Sequence, residues 1–308
     1  MSVTLTLSHG PHTLTLLPSR GAATARWQVR HHEQTFDVFR PWDGVSDNLF
    51  DTGNFALLPW SNRISEGGFS APDLNGQMQF HAIDANHPFQ TMPIHGDAWL
   101  QAWDVIGQVQ GATESHVTLA LTSKNHQGNP FHYRAQQTFT LCEAGLRVDL
   151  TVTHLGETPM PYGLGQHPYF PRTPQTQLHA PAEGVWLAGE TPVPRHHTTD
   201  LPPDWAFSTP QNLDAGRGDA ASLIDNVFTG WDGQARIVWP EWGAALDISA
   251  APHTPYFVLY RPVNEVFFCF EPVSHVNNAI HLPGHPGLVW LAQGETLTQS
   301  TTFTWSPL

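Results

Sequence analysis

From one end to the other, this chain alternates apolar and polar residues with a period of two. Val3, Leu5 and Leu7 alternate with polar neighbours, as do Val148, Leu150 and Val152 against Arg147, Asp149, Thr151 and Thr153. Near the C-terminus Leu297, Phe303 and Trp305 fall on one parity, with Thr298, Ser300, Thr302 and Thr304 on the other. Further strand-like runs cover 24–30, 117–122, 235–239, 244–249 and 256–261. Successive side chains of a strand point to opposite faces, so this pattern is that of half-buried strands. Apolar spacing of three and four residues, the signature of a helix, is not sustained anywhere. The 25 Gly and 27 Pro fall in the intervals between runs, as turns between many short strands require. The expected fold is all-β, a sandwich or barrel rather than alternating βα units.

At 308 residues the chain is long enough for one large domain or two ordinary ones, and β-sandwiches reach this size as single units. The strand patterns look alike throughout, so 1–308 is expected to form one domain. The loosest stretch, 171–218, is rich in Pro, His and Thr. It reads as a linker between domains or as a long loop crossing the face of one sandwich, the second being favoured. With 12 Trp and 17 Phe the chain has ample material for a core.

Charge narrows the partners. There are 13 basic against 27 acidic residues, a formal net charge of -14, and Lys124 is the sole lysine. Phosphate backbones and anionic membranes are bound by clustered Lys and Arg, so neither nucleic acid nor a membrane surface is an expected partner. No run approaches the length needed to span a bilayer, and the N-terminus has no basic stretch followed by an apolar core. Cys142 and Cys269 both lie in apolar runs and read as buried thiols, not as a disulfide framework. A cytoplasmic location is expected.

Two short segments carry the chemistry. One is Gly163-Leu164-Gly165-Gln166-His167-Pro168-Tyr169-Phe170, the other Val266-Phe267-Phe268-Cys269-Phe270-Glu271-Pro272. The prolines bias His167 and Glu271 toward extended backbone. Gly163 and Gly165 share a parity with His167, which predicts an uncrowded hollow around the imidazole. Glu271 shares its face with Cys269 and Phe267, which places the carboxylate at the end of an apolar wall. Such a pair suits acid–base catalysis. Three further clusters stand out: Pro59-Trp60-Ser61-Asn62-Arg63-Ile64, Pro93-Ile94-His95-Gly96-Asp97 and Leu223-Ile224-Asp225-Asn226-Val227-Phe228. Sugar sites combine a few polar groups with aromatic faces, and Trp60, Trp99, Trp103, Tyr169 and Trp231 are candidates for the faces. Singly, each cluster also reads as a turn, a cap or a surface ion pair.

Taken in order, Asn62-Arg63-Ile64, His95-Gly96, His167-Pro168-Tyr169-Phe170, Asp225 and Glu271-Pro272 resemble the aldose 1-epimerases, the galactose-mutarotase-like enzymes, over nearly the whole chain. The resemblance implies a large antiparallel β-sandwich with a sugar pocket on its concave face. It implies catalysis by Glu271 as general base at the anomeric hydroxyl and His167 as general acid at the ring oxygen. His95 and Arg63 would hold the ring oxygen and its neighbours, and Asn62 and Asp225 further hydroxyls. Neither metal nor organic cofactor is implied, and the partner is a small sugar, with the protein a monomer or homodimer. Two departures touch the pocket rim: Pro171-Arg172 where Asn-Leu is familiar, and Val273-Ser274-His275 where many members carry Gln.

Three rival readings remain at this level. A hexose 6-phosphate mutarotase of the same fold would need a basic pocket, to which Arg172 or Arg261 could contribute. A non-catalytic sugar-binding protein would need neither His167 nor Glu271. The 19 His residues raise a metalloprotein, with His196, His197, His275 and His281 as candidates, although no ligand spacing supports it.

Overall fold

The computed structural model describes residues 4–213, 223–252 and 254–308. Within them every ladder between strands is antiparallel and the only helical elements are three-residue 3-10 turns. Val3, and the end of the loose stretch beyond residue 213, lie outside the described residues.

Two large sheets dominate. The nine-stranded sheet runs in the order Gln211–Asn212, Gln177–His179, Gln234–Trp239, Ala244–Ala251, Thr296–Pro307, Gly145–His154, His132–Cys142, Glu114–Lys124 and Asp104–Gln110. The eight-stranded sheet runs Pro194–Thr198, Gly184–Ala188, Ile224–Thr229, Tyr256–Arg261, Phe267–Val273, Gly165–Gln166 and Ala56–Leu57, and its eighth strand, Tyr169–Pro171, also pairs with Phe267–Val273. A four-stranded sheet from Leu5 to Asp37 packs alongside.

The period-two pattern predicts the long strands well because each has one dry face. Along Gly145–His154 the residues Leu146, Val148, Leu150 and Val152 are buried, and along Thr296–Pro307 so are Leu297 and Phe303. That second strand also buries Gln299 and Thr301. Gln299 Nε2 donates to Pro272 O at 3.4 Å, so a polar contact ties the nine-stranded sheet to the strand that carries Glu271. The aromatic centre joins the four-stranded sheet to both large ones. Trp27 packs edge-on to Phe39 at 5.0 Å, and Phe39 meets Phe303 at 5.2 Å and Phe170 at 5.5 Å.

The stretch after Pro171 is neither a linker nor a long loop. It supplies Gln177–His179 and Gln211–Asn212 to one large sheet and Gly184–Ala188 and Pro194–Thr198 to the other. Gln211–Asn212 and Pro194–Thr198 are edge strands, paired on one side only, and Gln177–His179 and Gly184–Ala188 lie just inside them. All four are two to five residues long, too short to show the apolar alternation of the long central strands. Cys269 is buried as expected, whereas Cys142 is partly exposed.

Candidate active site

Phe267–Val273 separates two apolar environments by parity. Phe268 and Phe270 face the main core, while Cys269 and Val273 belong to a second buried cluster with Phe55, Leu57, Tyr169, Val227 and Val258. Glu271 stands between Cys269 and Val273 on that second face, opposite Val258 of the neighbouring strand, and is 2% exposed. The apolar wall expected for it is present.

His167 arrives from the other side of the same strand. Its N–H donates to Phe55 O at 3.0 Å, and the next strand pairs Tyr169 with Cys269. Its Nε2 lies 3.4 Å from Glu271 Oε1. The imidazole is not in an open hollow. It is stacked against the rings of Phe55 and Tyr169, each 4.7 Å away. The two glycines serve other neighbours. A Cβ on Gly163 would sit 1.9 Å from the His275 ring, and one on Gly165 would sit 2.8 Å from Val273 and 3.0 Å from Leu57. They permit close packing of the backbone segment rather than clearing space for His167.

His95 and Asn62 lock each other. The Asn62 N–H donates to His95 Nδ1 at 3.0 Å and the His95 N–H to Asn62 O at 2.9 Å. Because Nδ1 accepts, the neutral imidazole carries its proton on Nε2, as a fixed donor. Both residues take left-handed backbone, φ 58° and 61°, which is uncommon outside glycine. Gly96 completes the turn at φ 68°, where a Cβ would strike Leu58 O at 2.0 Å. The ring of His95 meets that of His167 edge-on at 4.9 Å.

Arg63 is held on three sides. Its Nε donates to Gln90 Oε1 at 3.1 Å, its Nη1 to Asn62 Oδ1 at 3.3 Å, and Nη1 lies 3.6 Å from Asp225 Oδ2. Asp225 projects from Ile224–Thr229 directly opposite Tyr260. All six residues singled out from the sequence (Asn62, Arg63, His95, His167, Asp225 and Glu271) thus line one cleft of about 180 Å³.

Four further lining residues, Phe50, Gln90, Ile94 and Tyr260, escaped sequence reasoning as site residues. Phe50 and Gln90 come from irregular segments with no period, and Tyr260 is revealed only by its cross-strand partner. Arg40 is a supporting residue with no sequence signal. Its guanidinium lies 4.1 Å from the Tyr169 ring centre and 4.3 Å from that of Phe267, bracing the wall behind His167. Of the aromatic candidates only Tyr169 reaches the cleft. Trp60, Trp99, Trp103 and Trp231 are buried, Trp99 stacking behind Phe55 at 5.3 Å.

The candidates of the rival readings lie elsewhere. Arg172 Nη1 donates to Pro262 O at 3.0 Å, and the buried Arg261 donates to Leu213 O at 3.4 Å; neither lines the cleft. His197 bonds Thr229, His275 bonds Ser61 and Val276, and His281 bonds Gly68. Among the described residues no group of three or more His, Cys, Asp or Glu is placed to hold a metal ion. Nor is any helix there long and apolar enough to cross a membrane.

The aldose 1-epimerase family model matches residues 3–304. The chain belongs to that family. It is 33% identical over 302 residues to the uncharacterised YphB protein of Escherichia coli K12, covering 95% of each chain. Its fold superposes with a TM-score of 0.86, at 29% identity and over 99% of both chains, on an Escherichia coli K12 crystal structure described provisionally as an aldose 1-epimerase. A galactose 1-epimerase from Lactobacillus acidophilus shares the fold, with a TM-score of 0.79 at 14% identity over 99% of this chain and 94% of its own.

In this epimerase-family cleft, burial governs the proton. It pushes the His167 imidazole down to about 3, with Arg40 and Arg63 adding to the effect. It pushes the Glu271 carboxyl well up; Asp225 adds to the rise and Arg63 opposes it without reversing it. His95 is held well below its usual range by burial, then by His167, Arg63 and His87. Burial thus disfavours the charged form of both partners in the 3.4 Å contact.

Proposed function

We propose that the protein interconverts the α and β anomers of a free, unphosphorylated aldose, with 1–308 acting as one domain around this cleft. The observation that carries the reading is the 3.4 Å separation of His167 Nε2 and Glu271 Oε1 at the base of a polar-rimmed cleft. The anomeric hydroxyl and the ring oxygen are bonded to the same carbon, so the base for one and the acid for the other must be close neighbours. In the closed-ring complex Glu271 is the carboxylate and His167 the imidazolium. Glu271 takes the proton of the anomeric hydroxyl as His167 gives one to the ring oxygen, and the ring opens to the aldehyde. Opening discharges two buried ions, the change that burial favours. Rotation about the C1–C2 bond and closure with the roles exchanged give the other anomer. His95, as a fixed Nε2–H donor, and Arg63 stabilise charge at the ring oxygen. Asn62 and Asp225 bind neighbouring hydroxyls, with Tyr260 offering an apolar face.

The cleft favours a neutral sugar over a sugar phosphate. Among the described residues Arg63 is the one cationic lining residue and is already engaged by Asp225, while Asp225 and Glu271 are both acids. The test is polarimetry or NMR exchange across glucose, galactose, arabinose and hexose 6-phosphates. Acceleration is expected for free sugars. Absence of any acceleration, with binding intact, would leave a sugar-binding protein; acceleration of the phosphates alone would replace the substrate class.

A further inference from the structure

The two residues that follow the Glu271 strand reach both other parts of the cleft. Ser274 Oγ accepts the Leu164 N–H at 2.9 Å, and the Ser274 N–H donates to Leu164 O at 2.8 Å. Leu164 lies three residues before His167, on the segment that delivers the imidazole. His275 Nε2 accepts the Ser61 N–H at 2.8 Å. Its Nδ1 lies 2.7 Å from Val276 O, which can only accept, so Nδ1 carries the proton and Nε2 the lone pair. Ser61 immediately precedes Asn62 and Arg63. Successive backbone N–H groups, Ser61 and Asn62, are thus received by two neutral imidazoles, His275 and His95.

Both residues are buried, Ser274 at 3% and His275 at 2% exposure, so water does not compete for these bonds. Gly163 is shaped to them: its missing Cβ leaves the room that the His275 ring fills. An apolar residue of the same size at 275 would fill that room but strand the Ser61 N–H. Alanine at 274 would strand the side-chain acceptor's partner, the Leu164 N–H.

We propose that Ser274 and His275 are positioning residues for the anomer exchange, Ser274 setting the segment that carries His167 and His275 setting the turn that carries Asn62 and Arg63, each against the strand of Glu271. The inference rests on the mutarotase reading. It requires the two substitutions to have different kinetic signatures. Ser274 acts on the acid and so on kcat; His275 acts on the sugar-binding turn and so on KM.

The experiment measures kcat and KM by polarimetry or NMR exchange, on the most active free sugar, for the parent, Ser274→Ala, His275→Leu and His275→Gln. Circular dichroism and thermal midpoints are recorded in parallel. Ser274→Ala should lower kcat about tenfold with KM within about twofold, the order of one lost backbone hydrogen bond. His275→Leu should raise KM about tenfold with a smaller change in kcat. His275→Gln, whose Oε1 stands the same number of bonds from Cβ as Nε2, should recover most of that KM. The inference is overturned if the variants leave both constants unchanged, if both shift them in the same proportion, or if Gln does no better than Leu. Should His275→Leu not fold, the contrast between Ser274→Ala and His275→Gln still decides: both must fold, and only the first may lose kcat. A parent inert on every sugar would instead remove the functional reading, a distinct outcome.

Discussion

The two large sheets solve different problems. The nine-stranded sheet has long strands, ten residues in Gly145–His154 and twelve in Thr296–Pro307, with apolar faces turned to a shared aromatic core. The eight-stranded sheet is regular only in its middle. At the cleft it is reduced to Ala56–Leu57, Gly165–Gln166 and Tyr169–Pro171, and the intervening turns use left-handed Asn62 and His95. Long strands maximise pairing and burial. Short ones let several chain segments end at one place, each delivering a side chain, and hydrogen bonds from side chains to backbone replace the missing ladder. On the proposed function, stability and reactivity fall to different sheets, and substitutions in each should show it.

The largest contrast lies in the buried pair. Glu271→Gln is expected to slow anomer exchange by about a hundredfold to ten-thousandfold, measured by polarimetry. Above the raised pKa of Glu271 the native state must hold a buried carboxylate, which the neutral amide avoids. The thermal midpoint of Glu271→Gln at alkaline pH should therefore exceed that of the parent, and a lower midpoint would contradict the burial argument.

Phe303→Ala, in the regular sheet, should do the reverse. Loss of a fully buried ring that meets Trp27, Phe39 and Phe170 should cost about 3–5 kcal/mol in denaturant unfolding, with KM unchanged in the folded fraction.

Acidification sharpens the comparison without mutation. The imidazoles of His275, lowered to about 4, and His167, lowered to about 3, stay neutral in the native state while those of the unfolded chain protonate near 6.5. The unfolded state then binds more protons, so stability falls as pH drops from about 6.5 toward 4. Glu271 has the opposite sign, since its raised pKa makes the native state bind the extra proton above 4.5. Urea midpoints across this range should decline with acid, less steeply in His275→Gln and more steeply in Glu271→Gln.

Smaller effects come from the rim and the surface. Gln90→Ala frees one side of Arg63 and should raise KM about two- to tenfold, the range of a single hydrogen bond. Arg147→Ala removes an exposed pair with Asp149 on the outer face of the nine-stranded sheet. It should change unfolding free energy by less than about 1 kcal/mol and leave the kinetics untouched.

What could be read from the sequence follows the same division. The long strands were legible because one wet and one dry face impose a period of two. His167 and Glu271 were legible as unusual polar residues in apolar runs before proline, and Asn62, Arg63, His95 and Asp225 through their order along the chain. The edge strands after Pro171 were not, because Pro194–Thr198 has a largely exposed pattern with His196 and His197 in it. Phe50 and Gln90 were not, because only tertiary packing brings irregular segments to the cleft. The tryptophans misled for an energetic reason. Their large apolar area is more stabilising in the core than at a wet rim, and four of the five aromatic candidates went there. Gly163 and Gly165 misled because a missing side chain records close approach without saying which neighbour approaches.

The proton that the imidazolium of His167 gives up carries one more consequence for the proposed reaction. Opening the ring and closing it on the opposite face return that proton to where it began, so the protein leaves either product in the state in which it met the substrate. Nothing in it remembers which anomer came in. The direction of net flow is then set by the relative abundance of the two sugars alone, and the same molecule serves whichever pathway is draining one of them.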